Sequence, residues 1–186
     1  MILTELDAVN LILRKMGEPP IISLDTQYPT LDLVFPALEQ ARTELLIEGW
    51  WFNSFPKTVL LPTLDGRVAV PPDTLMFYPD DTEKFLYAGT EIVAPDGSPI
   101  LDVSVPGRRI ADVALEKLPH SARACVTYSA CVQVYAADVG VDDIYENIIQ
   151  AYQLAYRELS RAHTRQRKYS MRTKLQYARW QSMLRS

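Results

Sequence analysis

Nine of the chain's thirteen prolines stand between Pro56 and Pro119, and this constrains the fold more than any other feature. Proline lacks an amide hydrogen and clashes with the preceding helical turn, so no long helix can form there. The same stretch carries short β-prone runs, TVLLP, RVAVPP, KFLYAG, EIVAP and PILDVSVPG, divided by turn signals at Asp65-Gly66, Ala88-Gly89 and Asp96-Gly97. These predict a small antiparallel sheet or sandwich with prolines at the strand ends, where they protect edges. The flanking sequence has helical period, so the helical residues fall into two halves around an insertion.

Thr4 is an N-cap with Asp7 in the capping-box position, and Leu6, Val9, Leu13 and Met16 repeat at steps of three and four. Gly17 then offers a left-handed residue, and Pro19 and Pro20 forbid continuation. Ile21, Ile22 and Leu24 are expected to turn back onto the core. A second helix is expected from about Thr30 to Glu48, with Leu31, Val34, Leu38, Ala41 and Leu45 on one side, a kink at Pro36 and a stop at Gly49. The aromatics of GWWFNSFP, directly after it, read as a wedge anchoring the next segment. Helical pattern resumes after Pro119 through Ala122, Cys125, Val126, Ser129, Val132 and Ala136 to about Val139. A last helix opens with Asp142, Asp143 and Glu146 and carries a stripe of Ile144, Ile148, Tyr152, Ala155 and Leu159.

The fold class is therefore α+β: an antiparallel helical bundle with an inserted small antiparallel β-sheet or sandwich and a C-terminal extended or helical arm. Residues 1–55 and 119–165 are assigned to the bundle, 56–118 to the β-rich insertion and 166–186 to the arm. With 186 residues the chain can bury a core without disulfide or metal staples. No apolar run approaches the roughly 18 residues of a membrane span, and the start, MILTELDAVN, lacks the pattern of an export signal. A reducing compartment is expected. Cys125 and Cys131, six residues apart on a helix, point about 240° apart and read as buried thiols.

Catalytic chemistry finds no foothold in the sequence. His120 and His163 lie in different segments and belong to no metal pattern. Asp80-Asp81 reads as a loop and Asp142-Asp143 as a helix cap, and the seven glycines are scattered singly rather than gathered in a phosphate loop. No catalytic, metal-binding or cofactor-binding residue is assigned, and no membrane or small-molecule partner is expected.

Charge is the remaining signal. From Arg157 onward there are nine basic residues and the single acid Glu158, so this end carries +8 while the preceding residues carry −12. Such a division suggests an arm that seeks an anionic partner. Arg161, Arg165, Arg167, Lys168, Tyr169, Arg172, Lys174, Tyr177, Arg179 and Trp180 form the candidate docking set. Interleaved Arg, Tyr and Trp suit a protein interface at least as well as single-stranded nucleic acid, the second reading; a merely solvated tail is the third. With few acids to pair its bases, the arm is expected to be partly disordered until bound.

The line LDAVNLILRKMGEPPI, followed by ARTELLIEGWWFN and TVLLP, resembles the tail tubular protein A family, the adaptor proteins of short-tailed bacteriophages. The matching positions are Ala8, Val9, Asn10 and Leu13, then Gly17, Glu18, Pro19 and Pro20, then Gly49, Trp50, Phe52, Asn53 and Leu60 to Pro62. Close similarity covers residues 6 to 62; beyond them the layout matches, and the basic arm departs from relatives that are acidic there. The resemblance implies a structural virion protein without enzymatic turnover. It would form a dodecameric ring between the portal vertex and the tail nozzle, line the DNA ejection channel and help retain the genome. It would be made in the host bacterial cytoplasm and reside in the virion tail, its contact with genomic DNA passing. A nucleic-acid-binding module acting through the arm, or a tail-associated cell-wall hydrolase, are the alternatives.

Overall fold

The computed structural model of the chain describes the backbone of residues 4–26 and 28–183, with side chains up to Gln166. It is an α+β fold of helices α1 (Glu5–Lys15), α2 (Leu31–Ile47), α3 (His120–Asp138) and α4 (Asp143–Met183). Strands β1 (Ser54–Leu60), β2 (Val68–Ala69), β3 (Thr74–Pro79), β4 (Leu86–Tyr87), β5 (Glu91–Val93) and β6 (Val105–Ala111) lie between α2 and α3, before a short 3-10 turn at Leu115–Lys117. Two compact units result, residues 1–38 with 119–186 and residues 39–118, and the division falls within α2.

The first unit is helical. Thr4 and Asp7 close a reciprocal capping box on α1, and Ala8, Val9, Ile12 and Leu13 form its buried face. α1 packs on α3, and α3 on α4. The short α3–α4 connection makes these two an antiparallel pair. Ala122, Cys125, Val126, Ala130, Cys131 and Val134 of α3 are buried with Ile148, Ala155 and Leu159 of α4. Two stripe positions differ from expectation: Ala136 and Ile144 are exposed, because both lie toward the α3–α4 connection, where less chain covers them. Ile22 is also not a core plug; it is 94% exposed, and only Ile21 of the pair turns inward.

α2 begins at Leu31, five residues before Pro36, so the proline lies inside the helix. The expected face is buried in full: Leu31, Val34, Leu38, Ala41 and Leu45, joined by Ala37 and Leu46.

The second unit holds two three-stranded antiparallel sheets, ordered β1-β6-β3 and β2-β5-β4. Leu60, Phe77 and Val105 from the first sheet and Val68 and Ile92 from the second share one apolar cluster with Val70. β3 is absent from the runs expected from sequence. β6 departs from the run expected to close at Pro106-Gly107, since the central strand starts at Val105 and takes in both residues. Gly107 is required there: a Cβ would strike the Tyr78 carbonyl oxygen and come within 2.7 Å of the Phe77 ring. Pro106 is tolerated near the strand's start, where its carbonyl still accepts from Asp80 N at 3.0 Å.

Candidate docking surface

The residues between α1 and α2 fix the first two helices by hydrogen bonds of local origin. Gly17 at φ +80° closes a Schellman end, with Glu18 N donating to Leu13 O at 2.9 Å and Gly17 N to Arg14 O at 3.3 Å. Glu18 then accepts from the Thr30 hydroxyl at 2.9 Å, tying the α1 exit to the α2 entry. Burial and the Glu18 charge together raise the pKa of the nearby Tyr28 hydroxyl. Pro19 and Pro20 cross the gap in the open. Beyond them Asn10 grips the chain with both ends of its amide: Nδ2 donates to Ile21 O at 2.9 Å and Oδ1 accepts from Ile21 N at 2.8 Å.

The G-W-x-F-N segment plays the same part in the second unit. Gly49 has φ +76°, and a Cβ on it would lie 2.7 Å from Ile110 Cδ1. Trp50 is buried, and its indole N–H donates to Leu45 O at 2.7 Å. Asn53 is fully buried; it accepts from Trp50 N at 2.8 Å and donates to Leu46 O at 2.8 Å and Ala111 O at 3.2 Å. One side chain thus joins the end of α2, the turn and β6. Trp51 and Phe52 meet edge to face, half-buried, as an anchoring wedge rather than an open stacking platform. A network not foreseen from sequence adds to this: Arg42 forks onto Glu39 at 2.5 and 3.1 Å, bonds Asp112, and donates to Val113 O at 2.9 Å. Its bonds to Glu39, then to Asp112, raise its pKa against the opposing effect of burial.

One carboxylate of each adjacent pair is bound into local structure. Asp81 accepts from the amides of Glu83 and Lys84 and pairs with Lys84 Nζ at 3.0 Å. Hydrogen bonding to Lys84, first, holds its pKa below the ordinary carboxylate range. Asp142 caps α4 by accepting from Tyr145 N at 2.9 Å and accepts from the Tyr135 hydroxyl at 2.9 Å. His120 is exposed at the start of α3 and His163 is half-buried along α4. Among the described residues no group of three His, Cys, Asp or Glu could hold a metal ion, and no helix is long and apolar enough to cross a membrane.

The basic end of the chain is where the structure adds most. α4 continues as one helix past residue 166 to Met183, so a single helical register carries the whole candidate set. Arg161 and Arg165 are exposed on it, as is Arg157, which the sequence set omitted. The side chains of Arg167, Lys168, Tyr169, Arg172, Lys174, Tyr177, Arg179 and Trp180 lie outside the described residues, and their positions follow from the backbone register alone. At 100° per residue Arg157, Arg161, Arg165, Lys168, Arg172 and Arg179 fall within about 80° of arc, roughly opposite the buried Ile148, Ala155 and Leu159.

A family model described as "Tail tubular protein" matches residues 6–169. Tail tubular protein A of Klebsiella phage KP34 is 32% identical over 177 residues, covering 94% of each chain.

Proposed function

The chain belongs to the tail tubular protein family, a structural component of phage tails, and within that role we propose that it is the adaptor joining the portal vertex to the tail nozzle. In this reading twelve copies close a ring around the DNA ejection channel, contact DNA only in passing, and help retain the packaged genome without catalytic turnover. The protein is made in the host cytoplasm and ends in the virion tail. The observation that carries the reading is similarity over 94% of a tail tubular protein A, which spans both structural units rather than one shared module. The two asparagine-pinned turns support it, because every copy in a closed ring must present the same surfaces.

The test is the mass of the purified chain with and without the portal ring, by light scattering and negative-stain images. Rings on the portal with a whole-number stoichiometry are expected. A chain that remains monomeric beside the portal would sink the adaptor reading while leaving family membership intact.

A further inference from the structure

The geometry points to the groove between the 24–29 turn and the start of α2 as the seat for a second copy of the chain, which would lay the exposed arginines Arg157, Arg161 and Arg165 of its α4 there. The inference rests on the ring part of the proposed function and names the surfaces through which neighbouring copies would meet.

The groove is open and holds about 590 Å³, within the roughly 300–1,000 Å³ of ordinary binding clefts. Leu24, Tyr28, Pro29 and Phe35 give it an apolar and aromatic lining, and Asp32 adds a carboxylate. Glu18 brings further negative charge to the same turn, because it holds the hydroxyl of Thr30, which stands between the lining residues Pro29 and Leu31. Rings beside a carboxylate suit a guanidinium, whose plane stacks on the one while its fork binds the other. Asp32 is exposed, and among the described ion pairs none involves it.

The counterpart lies on α4. Arg157, Arg161 and Arg165 follow one another at four-residue steps, so they share a face about 80° wide and about 12 Å long. All three are exposed, and none takes part in a described ion pair. Exposed Leu154 stands about one turn before Arg157 on the same side and matches the apolar part of the groove. From Leu154 to Arg165 there are three bases against the single acid Glu158, a net charge of +2.

Charge and symmetry select the occupant. DNA would set its phosphates against Asp32 and Glu18, like charge against like. A basic patch on another tail protein would suit the groove, but a second copy brings the matching arginines to every position of a ring. Groove and arginines are different surfaces of one chain, so their contact is head-to-tail, the kind that closes into a ring when the rotation between copies permits.

Charge exchange in the full chain makes the test: Asp32→Arg, Arg161→Glu, and the two together. Asp143→Arg is the control, since it reverses an exposed carboxylate in the first turn of another helix, as Asp32→Arg does in α2. Equal far-UV helicity shows that the variants fold. Self-association is read by light scattering over a concentration series, with and without the purified portal ring. Each single exchange is expected to need at least about tenfold more protein to assemble, while the double exchange and the control stay within about threefold of wild type. Single variants that assemble like wild type, or a double variant no better than the singles, would overturn the contact and leave the ring reading intact. A wild-type chain that stays monomeric in both settings would overturn ring and contact together. Portal binding lost by Asp32→Arg while self-association is unchanged would give the groove to the portal and overturn the proposal.

Discussion

Asn53 shows how much one buried side chain can hold. Its amide serves Trp50 N, Leu46 O and Ala111 O from a position with no solvent exposure. Removing it strands an N–H and two carbonyls, each costing about 1 to 3 kcal/mol when no partner replaces it. Asn53→Ala is expected to lower the unfolding free energy by about 3 kcal/mol, read as a shift of the urea midpoint at constant slope; a loss under 1 kcal/mol would mean water replaces the amide. The sequence marked Asn53 as part of a motif but could not show its link to Ala111, which is a contact of chain topology rather than local pattern. Cys131 was legible as a buried thiol, and burial pushes its pKa up to about 12, only slightly offset by Lys15. It is expected to resist alkylation in the native protein near pH 8 and to react at the rate of global unfolding; rapid labelling of the folded chain would contradict the packing around it.

At the scale of elements, the α3–α4 hairpin carries a pH dependence whose sign is fixed. The Tyr145 amide, then the Tyr135 hydroxyl, lower the pKa of Asp142, so its contribution is complete above the unfolded value near 3.9 and is lost as pH falls through the folded one. Burial first, and then Asp142, raise the Tyr135 pKa, so that contribution is complete below about pH 10 and is lost as pH rises further. Melting temperatures of wild type and Asp142→Asn are expected to differ most near neutrality and to converge as pH falls from about 5 toward 2. A gap independent of pH would show that charge plays no part. Helices were the most legible elements, because their apolar spacing and their caps at Thr4, Gly17 and Asp142 are local signals. β3 was not: Thr74–Pro79 shows no clean alternation, with Phe77 its only fully buried member. Pro106-Gly107 misled for a physical reason, since the glycine there serves close packing against Phe77 rather than a turn.

For the whole molecule the sequence exposed the charge division but not its arrangement. Counting bases is possible without a fold; sorting them onto one arc needs a continuous register, and α4 runs unbroken to Met183 where the sequence left the arm extended or helical. Truncation after Gln166 separates folding from docking. It removes six bases and no acid, taking the net charge from −4 to −10. Ile148, Ala155 and Leu159, the buried side chains described on α4, all remain. The truncated chain is therefore expected to melt within about 3 °C of the full one, because it keeps every described buried side chain of α4, and to fail to bind the portal ring. Calorimetry and co-sedimentation read the two properties independently. A melting point lowered by about 10 °C or more would make the last twenty residues part of the chain's own core, since a drop that large needs more than the loss of solvated charges.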